Sequence, residues 1–291
     1  MQEAVGSRAE WVVVIPVKRL DHAKTRLSTR PAPQRRALAL AFALDTVRAA
    51  LACADVVGVV VVTDDDEVRA AVAALGASWV PDEPDSGLNA ALTHGAEVVR
   101  RGSPAASVAV LAADPPALRP AELGLALVAA AAVPRGFVAD AAGTGTTLLT
   151  ARPGCELDAR FGERSRAAHA ASGAVELHPG PVPGLRRDVD TEVDLWDAVR
   201  LGIGIASAPL LADGSASSRA MTETVATVRG HDVVARTGTV LLDDGTLLAY
   251  DAAAFDAGGL RLLRPGQRVR IRLDVERGAI LALTLSTFDL P

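Results

Sequence analysis

Three uninterrupted apolar runs constrain the first two-thirds of the chain. They are WVVVIPV at 11–17, VVGVVVVT at 56–63 and SVAVLAA at 107–113. None alternates with polar residues. A strand with one face in water shows a polar residue at every second position, so these strands are covered on both faces. Helical stretches separate them: 34–51, then 65–75 ending at Gly76, then 88–100. Strands alternating with helices predict an α/β domain with a mixed, mostly parallel sheet. Farther on, Pro120 opens a helix to about 132. Residues 136–140 and 146–150 read as paired strands across a Gly-rich turn, 163–171 as a helix, 174–177 as a strand and 194–201 as a closing helix.

The pattern then changes. Residues 206–222 contain Pro209, Gly214, Ser215, Ser217 and Ser218 and read as a linker. Beyond it come short strands with Gly turns and no long helix, which predict a small all-β barrel over 223–291. The chain is therefore read as a domain at 1–205, a linker at 206–222 and a β-barrel domain at 223–291. A length of 291 residues suits one large domain plus a smaller one. With 49% hydrophobic and 22% charged residues, a disordered chain is excluded. The apolar runs are far too short to span a membrane. Glu3 and Glu10 flank no apolar signal core, so a cytoplasmic enzyme is expected. Cys53 and Cys155 form no CxxC, which argues against a disulfide framework or a cysteine zinc site. A net charge of −5 argues against nucleic acid as a general partner.

Only Lys18 and Lys24 among 30 basic residues are lysine, and Asn89 is the single asparagine. In a chain that uses arginine for generic positive charge, two lysines six residues apart call for a specific role. Both lie in PVKRLDHAKTRL, which leaves the first strand at the end of the sheet where open α/β folds bind ligands. Lys18, Arg19, Lys24 and Arg26 suit the polyphosphate of a nucleoside triphosphate, with lysine as a compact point charge. There is no GxxxxGK[ST] and no GxGxxG after that strand, so neither a P-loop nor a dinucleotide-binding Rossmann domain is expected.

Four further segments carry candidate chemistry. In DSGLNAAL, Ser86 can cap the next helix, Gly87 lets backbone approach a ligand, and the Asn89 amide can read a base edge or ribose. In LAADPPAL, Asp114 follows a buried strand and suits a hard cation such as magnesium. In DVDT, Asp188 and Asp190 alternate along an extended segment and point to opposite faces, so only one of them can share a metal with Asp114. Thr191 and Asp194 form a capping box for the last helix. GTGTTLL and RFGERS bring Thr147, Gly162 and Ser165, whose hydroxyls and N–H groups suit a small phosphorylated acid, beside Arg160, Arg164 and Arg166. His169 can face this site, although a helix-surface histidine is the commoner case.

Taken in order and spacing, PVKRLDHAKTRL, DSGLNAAL, LAADPPAL, GTGTTLL, RFGERS and DVDT over 11–204 resemble the phosphoenolpyruvate or 2-phospho-L-lactate guanylyltransferases of coenzyme F(420) biosynthesis. The resemblance implies a glycosyltransferase-A-like nucleotidyltransferase fold. It implies GTP and phosphoenolpyruvate as partners, with magnesium as cofactor and pyrophosphate as leaving group. It places Thr147, Gly162 and Ser165 at the phosphoenolpyruvate and Asp114 with Asp190 at the metal. Handover of product to the next enzyme and a homodimer are compatible with it. One departure is Pro115, where the family pattern has an apolar residue.

The C-terminal segment resembles a degenerate cold-shock domain, an OB-type barrel, through GTV, AAF and GLRLLRPGQRVRI. Such domains stack bases on aromatic residues in their first strands. Here those strands read VLLDDGTLLAY, with Tyr250 alone aromatic. From 223 to 291 there are 8 Arg and 9 acidic residues, a net charge of −1. A structural or partner-binding appendage is therefore expected. Two alternatives remain for the whole chain: 2-phospho-L-lactate or another small acid as acceptor, and a non-catalytic RNA-binding or regulatory protein.

Overall fold

The structure is a computed structural model that describes residues 9–22, 24, 27, 30–83, 85–211, 221–243, 245–274 and 279–286. The chain divides into two compact units, Met1–Leu210 and Leu211–Pro291.

The first unit runs β1 (Trp11–Pro16), α1 (Ala32–Leu51), β2 (Val56–Val62), α2 (Asp66–Ala74), β3 (Ser78–Val80), α3 (Leu88–Gly102) and β4 (Ser107–Leu111). It continues with α4 (Pro120–Ala130), β5 (Arg135–Ala139), β6 (Thr146–Ala151), α5 (Ser165–Ala171), β7 (Val175–Glu176), α6 (Pro183–Arg186) and α7 (Glu192–Leu201). Its seven strands are ordered β3-β2-β1-β4-β6-β5-β7. Strand β1 pairs in parallel with β2 and β4, whereas β6 runs against β4 and β5. The sheet is mixed and mostly parallel, as the apolar runs predict.

Those runs are apolar because both faces are covered, except at the start of β2, where Val57 is 58% exposed. Val13, Ile15, Leu111 and Leu148 pack with Val47 of α1 and Leu123 and Leu127 of α4. Val14, Val110, Phe137 and Leu149 pack on the other face with Leu92 and Val99 of α3. Alternation by two sends neighbouring residues into different cores, and each core needs an apolar side chain. Helix α3 sits close to the sheet. A Cβ at Gly95 would lie 2.7 Å from both Val14 and Val62, so glycine is required there.

Helix ends follow their local chemistry. Asp65 caps α2, accepting from Glu67 N at 3.0 Å and Val68 N at 3.3 Å. Its other oxygen accepts from Leu20 N at 3.0 Å, which fastens the segment after β1 to the same cap. Thr191 and Asp194 make the expected capping box on α7.

Part of the segment read as a linker is fixed to the first unit. Asp45 of α1 accepts from Ala206 N at 2.8 Å and Ser207 N at 2.9 Å, and from Ser207 Oγ at 2.5 Å. Asp45 is buried, and a buried carboxylate needs such donors. Composition does not reveal that anchor, because it depends on a partner 161 residues earlier. The remainder of the expected linker, 212–220, lies outside the described residues.

The second unit comprises β8 (Met221–Asp232), β9 (Thr237–Leu242), β10 (Leu247–Tyr250), α8 (Ala252–Ala257), β11 (Arg268–Asp274) and β12 (Ala279–Leu285). Its strands are antiparallel in the order β10-β9-β8-β11-β12. Tyr250 of one edge strand and Leu283 of the opposite one share a core with Val228, Val240, Phe255 and Ile271. The sheet therefore curls around that core as a partly open barrel. Strand β8 begins at Met221, two positions before the expected start of the domain.

Candidate active site

A cavity of about 710 Å³ opens in the first unit where β1 and β4 end and β6 begins. The parallel strands present their carboxyl ends to it, as open α/β sheets do at ligand sites. Pro16, Val17 and Lys18 line it from β1, Ala112 to Asp114 from β4, and Thr144 to Thr146 from the turn before β6. Gly162 to Ser165 close one side, and Asp188 and Asp190 another.

Acids and one lysine form its centre. The Lys24 ammonium donates to Asp114 Oδ2 and, at 2.5 Å, to the Val189 carbonyl, and it lies 3.7 Å from Asp190 Oδ1. Val189 N donates to the Asp114 carbonyl at 3.0 Å, which holds the 188–190 segment beside β4. The Lys24 side chain is only 9% exposed, so its charge depends on these partners. Burial draws its pKa down, but the hydrogen bond and charge of Asp114 and the charges of Asp190 and Asp188 outweigh burial and hold it above the usual lysine value. Burial, with repulsion from Asp114, Asp190 and Asp140, pushes the Asp188 carboxyl up to about 7.

The turn before β6 is built on Asp140. Its carboxylate accepts from Thr144 N and Gly145 N, both at 2.9 Å. A Cβ at Gly145 would lie 2.5 Å from Asp140 Oδ2, so the tight turn requires glycine. The opposite wall, 160–165, is fixed from two directions. Asn89 of α3 donates from Nδ2 to the Phe161 carbonyl at 3.0 Å and accepts from Phe161 N at 2.7 Å. His169 of α5 accepts from Arg160 N at 3.0 Å. Gly162, at φ 133°, and Arg164, at φ 57°, complete the bend into α5.

The family model for guanylyl transferases described as CofC like matches residues 11–174. The chain belongs to the CofC-like guanylyl transferase family. It is 56% identical over 202 residues to a phosphoenolpyruvate guanylyltransferase of Thermomonospora curvata, a match covering 69% of this chain and 89% of that protein. It is 57% identical over 204 residues to the Streptomyces coelicolor protein of the same name, covering 70% and 96%. A solved structure assigned as a nucleotide-diphospho-sugar transferase, from Desulfovibrio desulfuricans G20, superposes with a TM-score of 0.56 at 16% identity. That match covers 72% of this chain and 97% of the other, and shows the nucleotidyltransferase-like fold alone.

In this CofC-like guanylyl transferase, Lys18, Lys24, Asp114, Asp190, Gly162 and Ser165 all line the one cavity. Arg26 lies outside the described residues. Four of the residues singled out from sequence are placed differently. Asn89 does not present its amide to a ligand, because both ends of the amide are spent on Phe161. Ser86 does not cap α3: Gly87, at φ 93°, is the N-cap and no side chain caps the helix. Leu88 rather than Ser86 or Gly87 reaches the cavity lining. Thr147 is fully buried behind the wall and Thr146 lines the cavity in its place, since consecutive strand residues face opposite ways.

The DVDT reading also changes. Asp188 and Asp190 both face the cavity, because 187–190 is not a regular strand and alternation does not apply. Sequence reasoning passed over Asp140, although an acid before an AAGTG turn is an Asx-turn signal. His169 is neither on the helix surface nor in the cavity lining: its ring is completely buried between Phe137 and Phe161. The Asp-Pro-Pro bend is held by α1: the Thr46 hydroxyl lies 3.3 Å from the Ala113 carbonyl and 3.4 Å from that of Pro115.

Proposed function

We propose that this chain transfers GMP from GTP to phosphoenolpyruvate, giving enolpyruvyl-diphospho-guanosine and pyrophosphate. The observation that carries this reading is the identity of 56% and 57% to phosphoenolpyruvate guanylyltransferases across 89% and 96% of their lengths. A phosphate monoester with a second pKa of about 6 is largely dianionic at neutral pH, so the acceptor needs no general base. One of its oxygens bonds to the α-phosphorus as the α–β anhydride bond breaks, and the electron pair departs on pyrophosphate. Catalysis then consists of positioning and charge neutralisation.

In this reading Lys18, Lys24 and Arg26 take the triphosphate and its departing pyrophosphate. Gly162 and Ser165 hold the acceptor. Asp114 and Asp190, joined by Asp188, offer the hard oxygen donors that magnesium takes one or two at a time, with water and phosphate oxygens completing its shell. Bound there, magnesium supplies positive charge against the triphosphate. GTP and phosphoenolpyruvate are cytoplasmic metabolites, and we place the reaction there. The curled β-sheet unit is read as a partner-binding or structural appendage.

The test is pyrophosphate release with each of four nucleoside triphosphates, paired with phosphoenolpyruvate or 2-phospho-L-lactate, in magnesium. GTP with phosphoenolpyruvate is expected to exceed every other pair by about tenfold or more. A faster rate with another nucleotide or acid overturns the assignment.

A further inference from the structure

His169 has no exposed surface, yet both of its ring nitrogens are engaged. Nε2 meets Arg160 N at 3.0 Å, and a backbone N–H can only donate, so Nε2 is the acceptor. The neutral ring then carries its proton on Nδ1, which faces Thr146 Oγ1 at 2.9 Å. Burial, together with the neighbouring Arg135 charge, lowers the ring pKa to about 4, so this neutral form holds at physiological pH. The Thr146 hydroxyl thus receives a hydrogen bond from behind. Its own proton meets no acceptor among the described residues, and Thr146 stands in the cavity wall.

We infer that His169 is a positioning residue that locks the Thr146 hydroxyl as a hydrogen-bond donor to an anionic oxygen of the small-acid substrate. This rests on the acceptor reading given above. An unconstrained threonine hydroxyl turns to donate or accept as its partner demands. With a lone pair committed to Nδ1–H, Thr146 favours ligands that bring a lone pair to that point, as carboxylates and phosphates do. The same ring holds Arg160, so the hydroxyl and the 160–165 wall are set by one side chain. Asn89 fixes that wall from its other side.

Initial rates of pyrophosphate release with the full chain test this, with GTP and the acid varied separately. Thr146→Val removes the hydroxyl at nearly constant shape and is expected to raise KM for phosphoenolpyruvate about tenfold or more. KM for GTP should stay within about twofold, since the contact is to the acid alone. Thr146→Ser, which keeps the hydroxyl, should stay near wild type. His169→Asn keeps a donor toward Thr146, whereas His169→Gln keeps an acceptor for Arg160 N, so the asparagine variant should have the lower KM for the acid. If the His169 variants do not fold, the two Thr146 variants still decide the matter. An unchanged KM for the acid in Thr146→Val, or an equal rise for GTP, overturns the inference. Wild-type rates separate this from the reading beneath it: if another phosphorylated acid is preferred, that reading fails and the same comparison is made with the preferred acid.

Discussion

The Asn89 amide and the Phe161 backbone form a reciprocal pair, N–H to carbonyl at 3.0 Å in one direction and 2.7 Å in the other. An amide is the one uncharged side-chain group that offers a donor and an acceptor side by side, which is why asparagine stands here. Asn89→Ala leaves both Phe161 groups without that partner and is expected to cost about 2 kcal/mol in chemical denaturation. Because Gly162 and Ser165 ride on the same segment, KM for the acid should rise well above KM for GTP. A rise confined to GTP would mean that the amide reads the base after all.

Lys24 holds the charge balance of the acid cluster. Lys24→Ala should reduce turnover by about 100-fold or more, as expected when a group neutralising a leaving pyrophosphate is removed. It should also leave Asp114, Asp188 and Asp190 facing one another without their ammonium. The Asp188 carboxyl, already pushed up to about 7 by burial and repulsion, sheds its charge as pH falls, so the variant's thermal stability should be lowest at pH 8 and approach wild type as pH falls toward 5. Full activity with GTP in this variant would defeat the proposed mechanism.

Acid should destabilise the fold through His169. Its folded pKa is depressed from 6.5 to about 4 by burial and by the Arg135 and Arg160 charges, with Asp158 acting the other way. The folded state therefore favours the neutral ring. That preference is fully present above pH 6.5 and disappears as pH falls through about 4. The loss amounts to about 3 kcal/mol over that range. Urea midpoints of wild type and His169→Gln should converge as pH drops from 7 to 4, since glutamine does not titrate. Parallel curves would refute the assignment of a neutral buried ring.

Asp45 should be a stability residue with no role in the chemistry. Three donors from Ala206 and Ser207 converge on its buried carboxylate. Asp45→Ala strands the buried Ser207 N–H and the half-buried Ala206 N–H and should cost about 2–4 kcal/mol in the full chain, read as a lower thermal midpoint. KM for both substrates should be unchanged in the folded protein.

The layers of the first unit were legible because a strand buried on both faces leaves no polar residue in its sequence. The capping box at Thr191 was legible because both of its partners lie within one turn. Lys18, Lys24, Asp114 and Asp190 were legible as a group because strand ends in such folds converge. What composition could not supply was the direction of a side chain at the edge of an element. Thr146 and Thr147 are the same residue type one position apart, and only the pairing of β6 decides which meets the cavity. Asn89 stands out as the single asparagine, but rarity does not distinguish a ligand contact from a structural clamp. The anchor on Asp45 has no local signal at all, since its two ends lie in separate segments of the chain.

The reversal of β6 has a consequence for how such a chain can diversify. Because β6 runs against β4, its beginning rather than its end meets the cavity, and a short turn on Asp140 and Gly145 delivers that wall. The lysine and Asp114 walls hang instead on connections that leave β1 and β4, and changing those disturbs helix placement. A few substitutions or an insertion in the turn at 140–145 can therefore reshape one end of the pocket while the sheet stays intact. New acceptors should be reached through that turn first, both in natural variation and in selection for altered specificity.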